Sequence, residues 1–139
     1  MWGNCSKTLA DDLLKLQKRA ARLILDVRDI TTRSHMMFSE LEWMPLPDRI
    51  NYHRSMQVYK CLNGQCPSEL EKLFQYNRST HNHNTRSTEH DQLFMPRKAL
   101  KSFSFIGAST WNNIPLNVRT GSTLNGFKRL YKNDYFLQT

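Results

Sequence analysis

The sequence lacks the features of a membrane-spanning, secreted or disulfide-stabilised protein. It contains no run of about 18 apolar residues, which a membrane-spanning helix requires. Its first residues, MWGNCSKTLADD, are too polar for a secretory signal. The cysteines, Cys5, Cys61 and Cys66, are odd in number and follow no framework spacing, which fits reduced thiols rather than disulfides. We therefore expect an intracellular protein, nuclear or cytoplasmic, that has no membrane partner.

Acidic residues are scarce as well. The 139 residues include 20 Lys and Arg but only 12 Asp and Glu, which gives a formal net charge of +8. The excess lies mainly in the C-terminal part, because residues 76–139 contain only Glu89, Asp91 and Asp134 as acids. This balance predicts an anionic partner, such as nucleic acid or a membrane surface, but charge alone does not name the ligand.

Recognisable catalytic and cofactor-binding patterns are also missing. The sequence has no Gly-rich phosphate loop and no G-x-S-x-G nucleophile elbow. Asp11 and Asp12 are reminiscent of the paired aspartates that hold metal ions in polymerases, but they lie near the start of a leucine-periodic helix, where acids are common. Zinc is an alternative, although the spacing of the available ligands is outside the usual structural patterns: Cys61, Cys66, His81, His83 and His90. We therefore predict no catalytic residue, metal site, cofactor or small-molecule substrate, and no enzymatic activity for this chain.

The hydrophobic pattern predicts a mainly α-helical fold. Residues 8–27 have the period of an amphipathic helix. We expect its apolar stripe to pack against the core: Leu9, Leu13, Leu16, Ala20, Leu23, Ile24 and Val27. Four further helices are predicted over residues 36–43, 49–62, 69–74 and 123–135.

Turn signals and alternation complete this prediction. Asn63-Gly64 marks the end of one central helix. The alternation of Phe103 and Phe105 predicts a short extended or β segment, which turns helical from Ile106. We expect a small helical bundle as a single domain over residues 1–139. Its predicted parts are a helical half (1–75), a polar loop (76–92) and a basic C-terminal half (93–139).

Basic side chains on the predicted helices and beside Pro96 are the candidate nucleic-acid contacts. They are Lys15, Lys18, Arg19, Arg22, Arg97, Lys98, Lys101, Lys128, Arg129 and Lys132. Ordinary solvated helix faces are the alternative interpretation of the same residues. Most aromatic residues are expected in the core, but Tyr76 and Tyr135 lie in polar surroundings and are candidates to stack on unpaired bases.

Five short blocks, in this order, carry a resemblance to a known family. They are Leu16–Leu25, Leu41–Leu46 followed by Arg49-Ile50, Tyr59–Gly64, Phe103–Ala108 with Trp111–Pro115, and Ser122–Lys128. Together they resemble the C-terminal, post-thumb region of reverse transcriptases from LINE-type, non-LTR retrotransposons. The resemblance covers nearly the whole chain, and the order of the blocks makes it more specific than any single block.

The resemblance implies a non-catalytic part of an RNA-directed DNA polymerase. The palm with its catalytic aspartates and the endonuclease precede this region in the family, and Asp11 and Asp12 do not match the palm motif. A helical, basic fragment that helps to grip template RNA or target DNA is therefore expected. The alternative is a helical protein-interaction module, which docks on the polymerase domains or has been adopted by the host as an adaptor.

Overall fold

The computed structural model describes residues 6–29, 31–80, 91–96 and 102–138. The helices of these ranges are α1 (Lys7–Ile24), α2 (Ser34–Glu40), α3 (Leu46–Leu62), α4 (Ser68–Glu71), α5 (Asn77–Thr80), α6 (Phe103–Asn112), α7 (Leu116–Arg119) and α8 (Leu124–Gln138). Within the described ranges, the only β-type pairing is an isolated antiparallel bridge between Tyr76 and Leu93. The predicted fold class, a mainly α-helical small bundle, is confirmed.

The chain divides into two compact units. The first unit is Met1–Tyr52 with Tyr135–Thr139, and the second unit is His53–Asp134. Their limits differ from the predicted limits after residues 75 and 92, and the single-domain assignment itself stays a prediction.

Each of the first three helices is followed by a residue with left-handed backbone conformation, two positions after its last residue. The φ angle is 48° at Asp26, 51° at Glu42 and 66° at Gly64. After α1, the Val27 N–H donates to the Arg22 carbonyl oxygen at 3.0 Å, which satisfies a carbonyl that the helix itself leaves open. The glycine stop predicted for α3 is confirmed, whereas α1 and α2 reach the same geometry with residues that carry a Cβ.

α1 begins at Lys7, four residues before the paired acids Asp11 and Asp12. Ser6 caps the helix, because its hydroxyl accepts the Leu9 N–H at 3.4 Å. Asp11 and Asp12 therefore lie in the second turn. Both are exposed to solvent, and Asp12 pairs with Lys15.

The core of the first unit is made by α1 and α2. Ala21, Met37 and Phe38 are buried at its centre. Partly buried apolar side chains pack around them: Leu14, Leu25, Val27, Leu41 and Trp43.

The face of α1 that packs on this core is not the predicted one. Within the predicted stripe, Leu16 is 57% exposed and Leu23 is 83% exposed. The buried face is centred on Leu14 and Ala21 and is rotated by about 120° around the helix axis. The prediction that the stripe faces the core is therefore wrong for its leucines, whereas Val27 at its end does pack against this core.

The cause is a second apolar row on the same helix. Ala21 carries only a methyl group, so α2 approaches α1 closely at this point and buries Met37 and Phe38. A periodicity argument weighs leucines more heavily than alanines, and it selected the row that has more leucines.

A glutamine fixes α1 to the start of α3 within the first unit. The Gln17 Nε2 donates to the Met44 carbonyl oxygen at 2.9 Å, and its Oε1 accepts the Leu46 N–H at 2.9 Å. The side-chain amide thus pairs with the main chain in both directions, as a neighbouring strand would.

The core of the second unit is built around Phe127 of α8, which is fully buried. Its ring stacks on Tyr59 of α3 at a centroid distance of 4.7 Å and on Trp111 of α6 at 5.7 Å. The Tyr59 hydroxyl donates to the Gly121 carbonyl oxygen at 2.9 Å. One phenylalanine therefore joins three helices of this unit.

Further contacts of α6 depend on small or polar side chains. A Cβ at Gly107 would lie 2.9 Å from the Phe74 ring, so only glycine allows this approach. Asn112 accepts the Leu93 N–H at 2.8 Å and donates to the Leu93 carbonyl oxygen at 2.9 Å. These bonds satisfy the main chain of a fully buried leucine.

The segment predicted as extended is helical instead. α6 starts at Phe103, because the Ser102 hydroxyl accepts the Phe105 N–H at 3.3 Å and caps the helix. An alternation over three residues was too short to establish a strand. The prediction of a β or extended segment at Phe103–Phe105 is wrong.

The polar loop predicted from residue 76 begins with a helical turn. Asn77–Thr80 form α5, and the Ser79 hydroxyl donates to the Tyr76 carbonyl oxygen at 2.7 Å. Residues 81–90 lie outside the described residues, and so do the histidines of the zinc alternative: His81, His83 and His90.

Candidate nucleic-acid interface

The four candidate cations of α1 have different surroundings. Lys15 is exposed, and its Nζ lies 2.9 Å from the Asp12 carboxylate. Lys18 is half-exposed and Arg19 is exposed. Neither Lys18 nor Arg19 forms an ion pair with any residue of the described ranges. These two side chains are therefore available to an external anion.

Arg22 is committed to the connection between α1 and α2. Its guanidinium donates to the carbonyl oxygens of Asp29 at 2.8 Å and Thr32 at 3.2 Å. The Asp29 carboxylate accepts the N–H and the hydroxyl of Thr31, and these hydrogen bonds lower the pKa of Asp29. Arg22 thus orders this turn, and its side chain cannot leave for a phosphate without cost to the turn.

A second group of candidate cations lies on α8, and we call Lys128, Arg129 and Lys132 the α8 arc. At about 100° per residue, these side chains span about 100° of the helix circumference. Arg129 and Lys132 are exposed and Lys128 is half-exposed, while Phe127 points into the core of the second unit. No ion pair links the arc to another part of the described chain. The remaining candidates, Arg97, Lys98 and Lys101, lie outside the described residues.

The two stacking candidates have partners inside the protein. The Arg78 guanidinium lies over the Tyr76 ring at 4.8 Å, and burial raises the pKa of the Tyr76 hydroxyl. In the first unit, the Tyr135 hydroxyl donates to the Asp48 carboxylate at 3.0 Å. Base stacking by either ring stays a prediction, and each ring would have to accommodate these contacts.

Sequence reasoning missed an apolar feature of the surface. Leu13, at one edge of the exposed leucine row of α1, lines an open cavity of about 580 Å³ in the first unit. Its lining residues are Leu13, Gln17, Ala20, Trp43, Leu46 and Arg49. The signal was present in the sequence as a second apolar row on α1, formed by Leu14, Ala21 and Leu25.

The two cysteines of the zinc alternative are neighbours at the end of α3. Cys61 is 4% exposed, and burial together with the Cys66 thiol raises the pKa of Cys61 to about 12. A buried, protonated thiol behaves as a small apolar side chain rather than as a metal ligand. Within the described ranges, no three His, Cys, Asp or Glu side chains come together as a metal site.

Among the described residues, every helix is too short or too polar to cross a bilayer. Comparison of the chain with models of known protein families, with curated proteins and with solved structures finds no match.

Proposed function

We propose that this chain is a non-catalytic, nucleic-acid-associated C-terminal module of a LINE-type, non-LTR retrotransposon reverse transcriptase. The resemblance of the five sequence blocks supports the parentage. The observation that carries nucleic-acid binding is the α8 arc together with Lys18 and Arg19, because these cations are solvent-accessible and unpaired with acids of the described chain. The parent protein would perform RNA-directed DNA synthesis with domains that lie outside this chain.

Exposed cations of this kind bind the phosphate backbone and do not read sequence. Lysine and arginine on a helix neutralise phosphates and release counterions, so affinity falls steeply as salt rises. Each neutralised phosphate contributes about 0.9 to the slope of log K against log salt for duplex DNA, and about 0.7 for single strands. Arg22 contributes little to this slope, since its guanidinium is held by two carbonyl oxygens.

The test compares two lysines of the second unit. Lys132→Gln removes a cation of the α8 arc, and Lys72→Gln removes an equally exposed cation outside it. Binding of a labelled duplex is measured by fluorescence anisotropy between about 50 and 200 mM salt. We expect Lys132→Gln to lower the slope by about 0.9 and Lys72→Gln to leave it unchanged. Equal slopes for the two variants, or no binding in the lowest salt, would overturn the proposal.

The parentage has a separate test in the coding sequence upstream of Met1. A reverse transcriptase palm with paired aspartates in the same reading frame is the expected result. A promoter immediately upstream, with no palm in frame, would refute this parentage and leave the binding measurement unaffected.

A protein-interaction module is the second candidate function. The observation that favours it is the exposed apolar row of α1, because contiguous apolar surface of this kind marks interaction sites. The partner would be the polymerase domains of the same parent or a host protein. Association through this face would depend mainly on apolar contacts and would be much less sensitive to salt than binding through the α8 arc.

A further inference from the structure

The unpacked row of α1 is a continuous apolar surface, and we call it the α1 stripe. Its members are Leu9, Leu13, Leu16, Ala20, Leu23 and Ile24. The five large side chains are between 37% and 83% exposed. From Leu9 to Ile24 the stripe extends for about 22 Å along the helix, which is the length of four turns of a partner helix.

The stripe borders the open cavity of the first unit, which we call the α1–α3 groove. α1 contributes Leu13, Gln17 and Ala20, and the other wall carries Trp43 and Leu46. The two hydrogen bonds between Gln17 and the main chain hold these walls together. A concave, apolar, preformed surface binds a partner helix better than a flat surface does.

Two cations without an ion pair in the described ranges flank this surface. Arg49 lines the groove, and Arg19 lies about 60° around α1 from Leu16, at the opposite edge of the stripe. Both are exposed, and neither forms an ion pair within the described ranges. The neighbouring acid on this side, Asp12, is already paired with Lys15.

We propose that the α1 stripe and the α1–α3 groove bind an amphipathic helix of a protein partner that carries carboxylates on both sides of its apolar face. The inference rests on the second candidate function and names the chemistry of its partner. A second copy of this chain fits poorly, because each copy has a net charge of +8 and would bring cations against cations. An anionic bilayer fits poorly too, since a flat lipid surface cannot fill the groove.

The probe is a pair of labelled helical peptides of about 18 residues, enough to cover the stripe. Both have leucines at i, i+3, i+4 and i+7, and they differ only in the flanking residues, which are glutamates in one and lysines in the other. Binding to the full 139-residue chain is measured by fluorescence anisotropy. We expect the glutamate peptide to bind at least about tenfold more tightly than the lysine peptide.

Three variants locate the site. The double variant Leu16→Gln with Leu23→Gln removes apolar contacts from the stripe, and we expect it to weaken binding of the glutamate peptide by about tenfold or more. Arg49→Gln should reduce the preference for glutamate over lysine several-fold. Met36→Gln is the matched control, because Met36 is 58% exposed on α2 and lies outside stripe and groove, so binding should not change. Thermal unfolding of each variant checks that the fold is retained.

The outcomes separate this inference from the functions on which it builds. If neither peptide binds, both this inference and the protein-interaction function are refuted. If both peptides bind equally, that function stands and the acidic character of the partner is refuted. Unchanged binding by the double variant refutes the site. Two other results, each without peptide binding, would overturn the proposal. Binding to vesicles of phosphatidylcholine and phosphatidylserine that depends on the stripe would indicate a lipid surface. A dimer that depends on the stripe would indicate a second copy of the chain. None of these results depends on the nucleic-acid slope measured with Lys132→Gln.

Discussion

Replacement of Phe127 tests the assigned core of the second unit. Phe127→Ala removes a fully buried ring that stacks on Tyr59 and Trp111. Loss of a buried phenylalanine side chain costs about 3–5 kcal/mol, and each aromatic pair contributes about 0.5–1.5 kcal/mol beyond area burial. We expect a loss in the free energy of unfolding at the upper end of the first range, since the cavity would be closed by two rigid rings that relax little.

The matched control lies on the same helix. Phe136 of α8 is 37% exposed, so Phe136→Ala should cost no more than about 1 kcal/mol. Phe127→Leu keeps an apolar side chain but loses the stacking, and we expect an intermediate cost of about 1–2 kcal/mol. The assay is urea unfolding followed by circular dichroism. Equal losses for Phe127→Ala and Phe136→Ala would refute the placement of Phe127 at the centre of this core.

Two side-chain contacts and one buried thiol give further predictions. Asn112→Ala should lower the free energy of unfolding by about 2–4 kcal/mol, measured in urea, because it leaves the buried N–H and C=O of Leu93 without partners; a loss under about 1 kcal/mol would contradict this role. Cys61, whose pKa is raised to about 12, should resist alkylation by iodoacetamide at pH 8 until the protein is unfolded, as mass spectrometry of the digested protein would show. The same raised pKa means that the unfolded chain loses this proton near pH 9 while the folded chain keeps it, so stability should fall as pH rises from about 9 to about 12. Arg22→Gln should lower the thermal midpoint by disordering the turn after α1 and yet leave the salt slope of duplex binding unchanged, and a reduced slope would return Arg22 to the interface.

The helices were predictable where local signals agreed. α3, which ends at Leu62 before the Asn63-Gly64 turn, and the C-terminal helix around Phe127 were both predicted, because apolar period and turn residues agreed. Their observed ends differ from the predicted ends by up to three residues. At Phe103, the prediction of an extended segment rested on two alternating aromatic residues and overlooked Ser102, which caps a helix there. Short segments of this kind carry too few residues for a period to decide between strand and helix.

The faces and the long-range pairs were harder to predict. α1 has two apolar rows, and which row packs depends on the shape of α2, which the sequence of α1 does not contain. The Gln17 side chain forms hydrogen bonds with the main chain near Met44, and the Asn112 side chain does so with Leu93. No local sequence pattern indicates which side-chain amide will form such long-range bonds. Arg22 was foreseen as a cation but not as the support of a turn, because its carbonyl partners lie seven and ten residues further along the chain.

The hydrogen bond between Tyr135 and Asp48 has a consequence for synthesis of the protein on the ribosome. Asp48 lies in the first turn of α3, and 87 residues separate it from Tyr135. At a translation rate of about 5–20 residues per second, about 4–17 s pass between the addition of these two residues to the nascent chain. During that interval, Tyr135 is not yet there to donate to the Asp48 carboxylate. The first unit can therefore acquire its early helices while the chain grows, but it gains this last tie only when the C-terminal helix has been made.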